Sequence, residues 1–401
     1  MPGMPPQARA AASAEIRVVD SLAGIAPEAW NALAGGAALS NPVLRHEFLH
    51  GLEQTGCVGE RAGWLPQFLT LWKKAPGGAE TLAGAMPLYV KLHSYGEYVF
   101  DWAWADAYQR SGLEYYPKLL SAVPFSPITG PRLLADSDED RRLLMAAALR
   151  AGRQFSSLHV LFPTEEEAEL CKADGMLLRR GVQFHWINRG YDSFEQFLSD
   201  LSSAKRKKIR QERRRALESG VCLKRLVGSE ISDEHWRFFY RCYAATYRAH
   251  HSTPYLNLEF FRALGRTMPE NVLLVVAELD GKPIAGALNL FSPSSLFGRY
   301  WGALGHIPLL HFEACYYQTL EFCIERRIAV FEGGAQGEHK LARGFLPTPT
   351  VSAHWLREPA FADAVERFLA REASGMEQYL DELNDRAPFR QTTERHLPPG
   401  E

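Results

Sequence analysis

The sequence predicts a mixed α/β fold in which two related halves follow one another along the chain. Three observations support this prediction. The chain has 401 residues, more than a single hydrophobic core usually accommodates. Its composition, with 46% hydrophobic and 23% charged residues, is that of a globular protein. Short motifs also recur in the same order in both parts of the chain, which indicates an internal duplication.

The repeated motifs define the two halves. Residues 83–88 (AGAMPL) recur as residues 285–290 (AGALNL). Four further matches follow in the same order: Gly96-Glu97-Tyr98 with Gly298-Arg299-Tyr300, Tyr115-Tyr116 with Tyr316-Tyr317, residues 178–181 (LRRG) with 341–344 (LARG), and His185-Trp186 with His354-Trp355. Because the matches keep their order, we expect one structural unit to be present twice.

The second half has the clearest pattern of strands and helix. An apolar run ends in Asp280-Gly281, a typical hairpin-turn pair, and two further strand patterns complete an antiparallel meander. Apolar residues then recur at helical spacing before a last buried strand. The predicted strands are 272–279, 284–291, 296–304 and 328–332, and the predicted helix is 311–327.

The first half is expected to have the same order of elements. Its predicted strands are 68–71, 81–90, 95–104 and 158–162, with a helix after Gly112. We therefore expect domains at residues 15–187 and 188–390, the second containing a basic helix at 202–219. Residues 1–14 and 391–401 are predicted to be disordered tails, because they are rich in Pro or small residues and lack apolar periodicity.

Composition and cysteine usage limit the function classes. A net charge of -2 argues against a protein that binds nucleic acid over its whole surface. The six cysteines form no CxxC pair and no Cys/His cluster with metal-ligand spacing, which predicts reduced thiols and no metal site. There is no run of eighteen apolar residues and no apolar segment of a secretory signal. We expect a soluble cytoplasmic protein without integral membrane association.

Several long motifs resemble the GNAT superfamily in its Fem-like branch. They are residues 95–104 (YGEYVFDWAW), 118–125 (KLLSAVPF), 330–335 (VFEGGA) and 335–344 (AQGEHKLARG). Within that branch the chain is similar to predicted N-acyltransferases described as peptidoglycan biosynthesis or recognition proteins, from about residue 41 to residue 390. The resemblance implies tandem GNAT-like domains, transfer of an acyl or aminoacyl group to an amine, and no metal.

The resemblance also extends to two residues of the second half, Glu332 and Lys340. Fem-like relatives have a Tyr-Asp-Phe-Gly-Gly type segment, which residues 330–334 match with Glu332 in the acid position, shifted by one place. The lysine that follows this segment in relatives corresponds to Lys340. Ordinary GNAT enzymes hold the coenzyme A pyrophosphate with an Arg/Gln-x-x-Gly-x-Gly/Ala loop. Residues 301–310 contain Gly302 and Gly305 but not that pattern, so acyl-CoA remains a possible donor for which the sequence has no recognised pyrophosphate loop.

Transfer of an acyl group to an amine needs a base, donors for the oxyanion and a proton for the leaving group. Glu332 closes an apolar strand before two glycines, where burial can raise the pKa of a carboxyl and make it a base; the alternative is a structural ion pair with Lys340 or Arg343. His311 and Glu313 open the predicted helix at the mouth of the site, or Glu313 only stabilises the first helical turn. Glu332, Glu313 and Lys340 are the catalytic candidates of the second half.

Polar and aromatic residues complete the predicted site. In the first half, Asp101 is a further catalytic candidate for contact with the acceptor amine, and large rings on both faces of the same predicted strand suggest a cleft wall or, alternatively, core packing. In the second half, polar residues lie on matching strands and in the loop after Glu332. The substrate-binding candidates are Tyr98, Trp102, Trp104, Asn289, Arg299, Trp301, His311, Gln336 and His339.

Residues 205–215 contain eight cations and one acid. Lys205, Arg206 and Lys208 are candidates for binding the phosphates of a transfer RNA, the acidic face of an acyl carrier protein or another anion, or they form a solvated face. The predicted function is an N-acyltransferase, such as an N-acetyltransferase, that uses a small-molecule or carrier-linked donor and direct attack by an amine. The alternatives are a non-catalytic RNA- or carrier-binding protein and an aminoacyl-tRNA-dependent transferase of cell-wall precursors.

Overall fold

The computed structural model describes residues 14–74, 77–335 and 337–390, apart from the side chains of Ala38 and Glu338. The chain forms two compact units, each assembled from separate parts of the sequence. Unit 1 contains the chain up to Gly181 together with 255–268 and 350–374, and unit 2 contains 182–254, 269–349 and the chain from Gly375. The predicted tails lie outside the described residues, except for Ala14.

These units correct the expected contiguous domains at 15–187 and 188–390. The strand Leu177–Ile187 begins in unit 1 and ends in unit 2, and the strand Leu346–Leu356 begins in unit 2 and ends in unit 1. A chain that changes unit within two of its strands cannot be divided at a single linker.

Unit 1 contains two groups of paired strands. β1, β3, β4 and β7 form an antiparallel sheet in that order. In the second group β6 pairs with β8 in parallel, and the end of Leu346–Leu356 pairs with β8 antiparallel. The strands are β1 (Ala14–Val19), β2 (Trp64–Pro66), β3 (Phe68–Lys74), β4 (Glu80–Met86), β5 (Tyr89–Lys91), β6 (Lys118–Ser121), β7 (Leu134–Ala135), β8 (Ser157–Leu161) and the start of β9 (Leu177–Ile187).

The helices of unit 1 cover these strands. The longest one that precedes β8 begins after Ser137, whose side chain accepts a hydrogen bond from the backbone N–H of Asp140 and caps the helix. Its apolar face, including Leu144 and Met145, packs with Leu71 in the core of the unit. The helices are α1 (Pro27–Asn31), α2 (Leu33–Ser40), α3 (His46–Gln54), α4 (Trp102–Arg110), α5 (Asp138–Gly152) and α6 (Glu165–Ala173). Leu258–Thr267 and the start of Pro359–Asp385 also belong to this unit.

Unit 2 is built on an antiparallel meander followed by one parallel strand. Its strands are β10 (Cys222–Val227), β11 (Val272–Leu279), β12 (Lys282–Phe291), β13 (Ser295–Ala303), β14 (Val330–Glu332) and the start of β15 (Leu346–Leu356). β14 lies between β13, to which it is parallel, and the end of β9, to which it is antiparallel. The turn between β11 and β12 has positive φ at Asp280 and Gly281, as a tight hairpin requires.

The helices of unit 2 include the predicted basic helix. They are α7 (Phe194–Asp200), α8 (Ser203–Leu217), α9 (Asp233–Ala249), α11 (Leu310–Phe312) and α12 (Gln318–Glu325). The label α10 is given to Leu258–Thr267 of unit 1. The last helix, α13 (Pro359–Asp385), begins in unit 1 and ends in unit 2. A π-helical turn, Glu313–Tyr317, joins α11 to α12 into one helix. Its buried side packs with Trp186, Phe331 and Phe345 in the main core of the unit.

The elements predicted for the second half are confirmed, with bounds that differ by a few residues. In the first half the strand at 95–104 is wrong. Gly96 and Tyr98 both have positive φ, which interrupts an extended strand, and α4 begins at Trp102. The helix after Gly112 is also wrong, because the helix of this half is α5, after β7.

Both units nevertheless have the same order of elements. β3, β4, β7, α5 and β8 in unit 1 correspond to β11, β12, β13, the helix 310–325 and β14 in unit 2. The mixed α/β fold with two tandem units is therefore confirmed. No helix among the described residues is long and apolar enough to cross a membrane.

Candidate active site in unit 2

A small pocket of about 110 Å³ opens in unit 2 beside the point where the pairing of β13 with β14 ends. The last paired residues are Phe297 and Glu332. Four of the predicted substrate-binding residues line the pocket together with residues that the sequence did not suggest. The lining residues are Ala287, Leu288, Asn289, Gly298, Arg299, Tyr300, Trp301, His311, Cys315, Tyr316, Phe331 and Gly333.

A β-bulge directs Arg299 into this pocket. Asn289 of β12 pairs with Gly298, and the preceding Leu288 pairs with Tyr300, so Arg299 is the extra residue of β13. A bulge of this kind changes the direction of a side chain locally and is common beside active sites. Gly298 allows the close packing that this requires, since a Cβ there would lie 3.2 Å from the ring of Phe331.

The helix 310–325 supplies the opposite wall. Its π-helical turn includes Cys315 and Tyr316, and both side chains line the pocket. Single π turns inside α-helices occur frequently at functional sites. Burial raises the pKa of the Cys315 thiol, so the sulfur stays protonated and is a poor nucleophile.

Glu332 is a partly buried carboxyl group, with 13% of its side chain exposed. Its Oε2 atom has no hydrogen-bond partner in the described structure. Burial raises the pKa of Glu332 to about 8, and the positive charge of Arg299 opposes this shift. His185 Nε2 lies 3.9 Å from Glu332 Oε2, but burial lowers the pKa of His185 to about 4. The imidazole is therefore neutral at neutral pH and forms no ion pair with Glu332.

Lys340 lies in the short 3₁₀ helix Glu338–Arg343 that follows β14. Its side chain is buried, and its Nζ atom donates a hydrogen bond to the carbonyl oxygen of Gly334 at 3.1 Å. Burial lowers the pKa of Lys340 to about 8, with Cys315 acting in the opposite direction. Glu332 and Lys340 consequently both change charge near pH 8. Neither is itself among the residues that line the pocket, but Glu332 lies between the lining residues Phe331 and Gly333, and Lys340 acts electrostatically on the lining residue Cys315.

His339 and His311 lie in a cluster of rings at the same pocket. His339 Nε2 and the Tyr316 hydroxyl are 3.0 Å apart and share a hydrogen bond, while His311 packs against Trp301 and Tyr316. Burial lowers the pKa of His311 to about 4, so this ring is neutral near pH 7. Gln336 lies outside the described residues.

Glu313 does not lie free at the mouth of the site, which corrects the prediction for this residue. Its side chain is fully buried and accepts hydrogen bonds from Arg213 Nη2 and Nε at 2.9 and 3.1 Å. Gln318 donates a further hydrogen bond to it. A carboxylate that is fully bonded to a guanidinium holds helix α8 against the helix 310–325 and is not available as a base.

The candidates of the first half lie in unit 1, and their surroundings differ from the predicted cleft. Asp101 is buried and accepts hydrogen bonds from Lys118 Nζ at 2.5 Å and from the Tyr115 hydroxyl at 2.6 Å. Burial raises the pKa of Asp101, but the charge of Lys118 and the hydrogen bonds that the carboxylate accepts together lower it below its usual value, so Asp101 is a structural anion. Trp104 is buried in an apolar cluster, whereas Tyr98 and Trp102 are partly exposed.

Helix α8 presents cations on its outer face and an ion pair on its inner face. Arg206, Lys207, Arg210 and Arg214 line a surface hollow of about 390 Å³ together with Ser203 and Gln211. On the inner face, Glu212 forms a buried ion pair with Arg343 at 2.7 Å. Of the three predicted anion-binding residues only Arg206 lines the hollow. Lys208 is exposed elsewhere on the helix, and Lys205 is partly buried.

Sequence reasoning missed His185, Cys315 and Tyr316. His185 meets Glu332 because β9 pairs with β14, a contact between residues far apart in the sequence. The sequence signal for His185 and Tyr316 is that both lie in repeated pairs, His185-Trp186 and Tyr316-Tyr317. These pairs indicate the duplication but do not by themselves indicate a pocket.

Solved structures that share this fold include the following three. The structure of FemX has 11% identity and a TM-score of 0.52, covering 84% of this chain and 96% of its own. A conserved protein of unknown function from Bacteroides thetaiotaomicron has 9% identity and a TM-score of 0.51, covering 85% and 99%. The C-terminal domain of a protein described as a lysylphosphatidylglycerol synthetase from Agrobacterium fabrum has 10% identity and a TM-score of 0.50, covering 83% and 93%.

The fold and the pocket define the class of protein: a mixed α/β protein with two tandem units, whose fold is shared with FemX and whose second unit has a small pocket beside the end of β14. The model of the FemAB-like family, described as peptidoglycan biosynthesis/recognition, matches residues 21–391. The chain belongs to this family. No curated protein matches the sequence.

Proposed function

We propose that the protein is an N-acyltransferase that moves an acyl or aminoacyl group from an activated donor to an amine at the pocket of unit 2. The observation that carries this proposal is that two groups with opposite pKa shifts lie beside the residues that line this pocket: Glu332 follows the lining residue Phe331, and Lys340 acts electrostatically on the lining residue Cys315. Glu332 has a pKa raised to about 8 and Lys340 a pKa lowered to about 8. Membership of the FemAB-like family, described as peptidoglycan biosynthesis/recognition, supports an amine acceptor related to cell-wall precursors.

The proposed reaction is a direct attack. The acceptor nitrogen forms a bond to the donor carbonyl carbon, and Glu332 takes the proton that the nitrogen loses. The bond from this carbon to the leaving oxygen or sulfur then breaks, and Lys340 gives the leaving atom a proton. General acid–base catalysis by positioned groups typically contributes about 10²- to 10⁴-fold each. The protonated state of Cys315 supports attack without a covalent intermediate on the protein.

The proposed donor is an activated acyl group on a carrier other than coenzyme A. The loop between β13 and α11, residues 304–309, contains no Arg or Lys, and Pro308 lacks a backbone N–H. These residues do not fit a pyrophosphate. The proposed reaction therefore does not involve coenzyme A.

A carrier with several phosphates, such as a transfer RNA, is favoured as the donor by the hollow on α8 with its four cations. The name of the similar lysylphosphatidylglycerol synthetase domain also indicates an aminoacyl product. Replacing Arg206, Arg210 and Arg214 together by Gln should weaken binding of a transfer RNA and flatten its salt dependence, because fewer counterions are released. Lys282→Gln, at an exposed cation of β12, is the control. Equal salt slopes for both proteins would exclude this donor site.

The central test compares Glu332→Gln and Lys340→Met with the wild type. With donors and amine acceptors analysed by mass spectrometry, each variant should lose at least about a hundredfold in turnover while circular dichroism remains that of the wild type. The control variant is Glu234→Gln, at an exposed carboxylate in the first turn of α9 in unit 2, which should keep full activity. Unchanged turnover in both active-site variants would remove the site assignment.

A further inference from the structure

The His311 imidazole lies in the wall of the pocket of unit 2 and is half-buried there. Its ring contacts Trp301 and Tyr316 edge to face, at centroid distances of 5.4 and 5.6 Å. Among the residues that the structure describes, the imidazole forms these ring contacts but no hydrogen bond. A neutral imidazole carries one N–H donor and one acceptor nitrogen, so both remain for a ligand.

Other polar groups at this pocket already form hydrogen bonds within the chain. Asn289 Nδ2 donates to the carbonyl oxygen of Ala287 at 3.4 Å, and Arg299 Nη2 donates to the Tyr300 hydroxyl at 3.2 Å. The Tyr316 hydroxyl is bonded to the second imidazole of the site, that of His339. These bonds distinguish His311 as the lining side chain whose N–H has no partner in the described part of the chain.

The surroundings of His311 keep its ring neutral. Burial lowers the pKa of His311 to about 4, and His339, Arg343 and Lys340 act in the same direction. An imidazole of this pKa is a poor base near pH 8, but its N–H is still a hydrogen-bond donor. The positive charges that disfavour an imidazolium here favour a negatively charged oxygen at the same place.

The size and walls of the pocket indicate which part of a substrate enters it. A volume of about 110 Å³ is well below the roughly 300 Å³ at which pockets for whole ligands begin. It therefore fits the reacting acyl group and not the carrier of that group. Ala287, Leu288 and Phe331 supply apolar walls, and a hydrogen bond is stronger where such walls exclude water.

We infer that His311 is a catalytic residue whose N–H donates a hydrogen bond to the carbonyl oxygen of the donor acyl group. This inference rests on the proposed function and assigns the group that stabilises its oxyanion. When the acceptor nitrogen bonds to the carbonyl carbon, the C=O π electrons move to the oxygen, and His311 stabilises the resulting charge while keeping its proton. The electrons return when the leaving atom departs. Neutral imidazoles polarise carbonyl groups in this way in other enzymes.

Turnover of the full-length protein tests this role, with alanyl-transfer RNA or p-nitrophenyl acetate as donor and glycinamide as acceptor. His311→Phe keeps a ring against Trp301 and Tyr316 but removes the N–H. It should lower kcat about 10²- to 10³-fold, with KM within about threefold of the wild type and the limbs of the pH profile unmoved. His311→Gln, whose amide donates instead, should be at least about tenfold faster than His311→Phe. His250→Phe, at an exposed imidazole after α9, is the control and should match the wild type.

Infrared spectroscopy tests the same contact without turnover. The probe is the acetyl product N-acetylglycinamide, isotopically labelled in its acetyl carbonyl and bound to the full-length protein. A hydrogen bond to the oxygen weakens the C=O bond, so the carbonyl stretch should lie at a lower frequency on the wild type than on His311→Phe. His250→Phe should give the frequency of the wild type.

The outcomes separate the inference from the proposed function. Transfer by the wild type with an unchanged kcat in His311→Phe, or with a loss confined to KM, overturns the inference and leaves the proposed function standing. Equal losses in the Phe and Gln variants, or a displaced acid limb, also overturn it, since the imidazole would then act as a base. A lower carbonyl frequency on the wild type without transfer from either donor supports the contact and refutes the proposed function. The same frequency on the wild type and His311→Phe overturns the inference whatever the turnover.

Discussion

His185 and Glu332 are directly opposite each other on the paired strands β9 and β14, and their side chains approach to 3.9 Å without forming an ion pair at neutral pH. Both groups are buried, and burial favours the neutral form of each. The carboxyl is therefore kept protonated by its burial and is not balanced by a cation at position 185 of β9. This relationship determines how the protein should respond to pH.

Glu332→Gln should make the folded state less sensitive to alkaline pH. The pKa of Glu332 is raised from 4.5 to about 8 on folding, so the folded state binds more protons than the unfolded state between these values. The free energy of unfolding of the wild type should then fall as pH rises through this window. The variant should be more stable than the wild type at pH 9, by up to about 5 kcal/mol, and show a smaller difference at pH 4. Urea denaturation at both pH values measures this. A constant difference would show that Glu332 has an ordinary pKa.

The pH dependence of turnover should be bell-shaped with an optimum near pH 8. Glu332 must lose its proton to act as the base, and Lys340 must keep its proton to act as the acid, and both have a pKa of about 8. Lys340→Arg should extend activity to higher pH, because a guanidinium remains protonated there. The measurement is kcat/KM from pH 6 to pH 10. An alkaline limb at the same pH in this variant would assign that limb to another group.

Lys118→Met should destabilise unit 1. Lys118 is fully buried and forms ion pairs with Glu97 at 2.8 Å and Asp101 at 2.5 Å. Its loss leaves Asp101 without this cation and Glu97 with Lys91 alone, at 3.9 Å. Loss of one partner from a buried ion pair costs about 3–5 kcal/mol. The control is Lys224→Met, since Lys224 forms a similar pair with Glu278 but is half exposed and should matter little. Equal stabilities of the two variants in denaturant would contradict the structural role of the buried cluster.

Gly302→Ala should destabilise unit 2, because α9 packs directly on β13 at this residue. A Cβ at Gly302 would lie 2.2 Å from the carbonyl oxygen of Cys242, and backbone cannot move aside as a side chain can. Overpacking of this kind costs about 1–3 kcal/mol. Gly305→Ala is the matched control, since no atom lies within 4 Å of a Cβ at that position. Thermal unfolding should show a lower Tm only for the first variant, and an unchanged Tm would mean that the helix can move away from the strand.

The sequence predicted the second half well because its elements follow from local patterns. The hairpin pair Asp280-Gly281 and the helical spacing after His311 both depend on neighbouring residues. The strand predicted at 95–104 is wrong because tertiary contacts determine the conformation of this segment. Asp101 accepts hydrogen bonds from Tyr115 and Lys118, which come later in the sequence. Apolar periodicity does not report such contacts, and it does not show a change of backbone direction at Tyr98.

The site was predicted in part for the same reason. Asn289, Arg299 and Trp301 were recognised as positions on adjacent strands, and the structure places them around one pocket with His311. Glu313 is predicted at the mouth of the site because the sequence does not indicate which cation pairs with its carboxylate. Arg213 lies in a separate basic segment, and only tertiary packing brings its guanidinium to the Glu313 carboxylate.

The crossing of β9 and β15 from one unit to the other has a practical consequence for work on this protein. A fragment that ends at Ile187 would lack the strand pairing of Ser352–Leu356 with β8, and a fragment that begins there would lack the partner of β14. Either piece would expose an unpaired sheet edge, which promotes aggregation. Expression and selective labelling should therefore keep the polypeptide whole, and a loss of activity after truncation should not be used to assign catalysis to one unit.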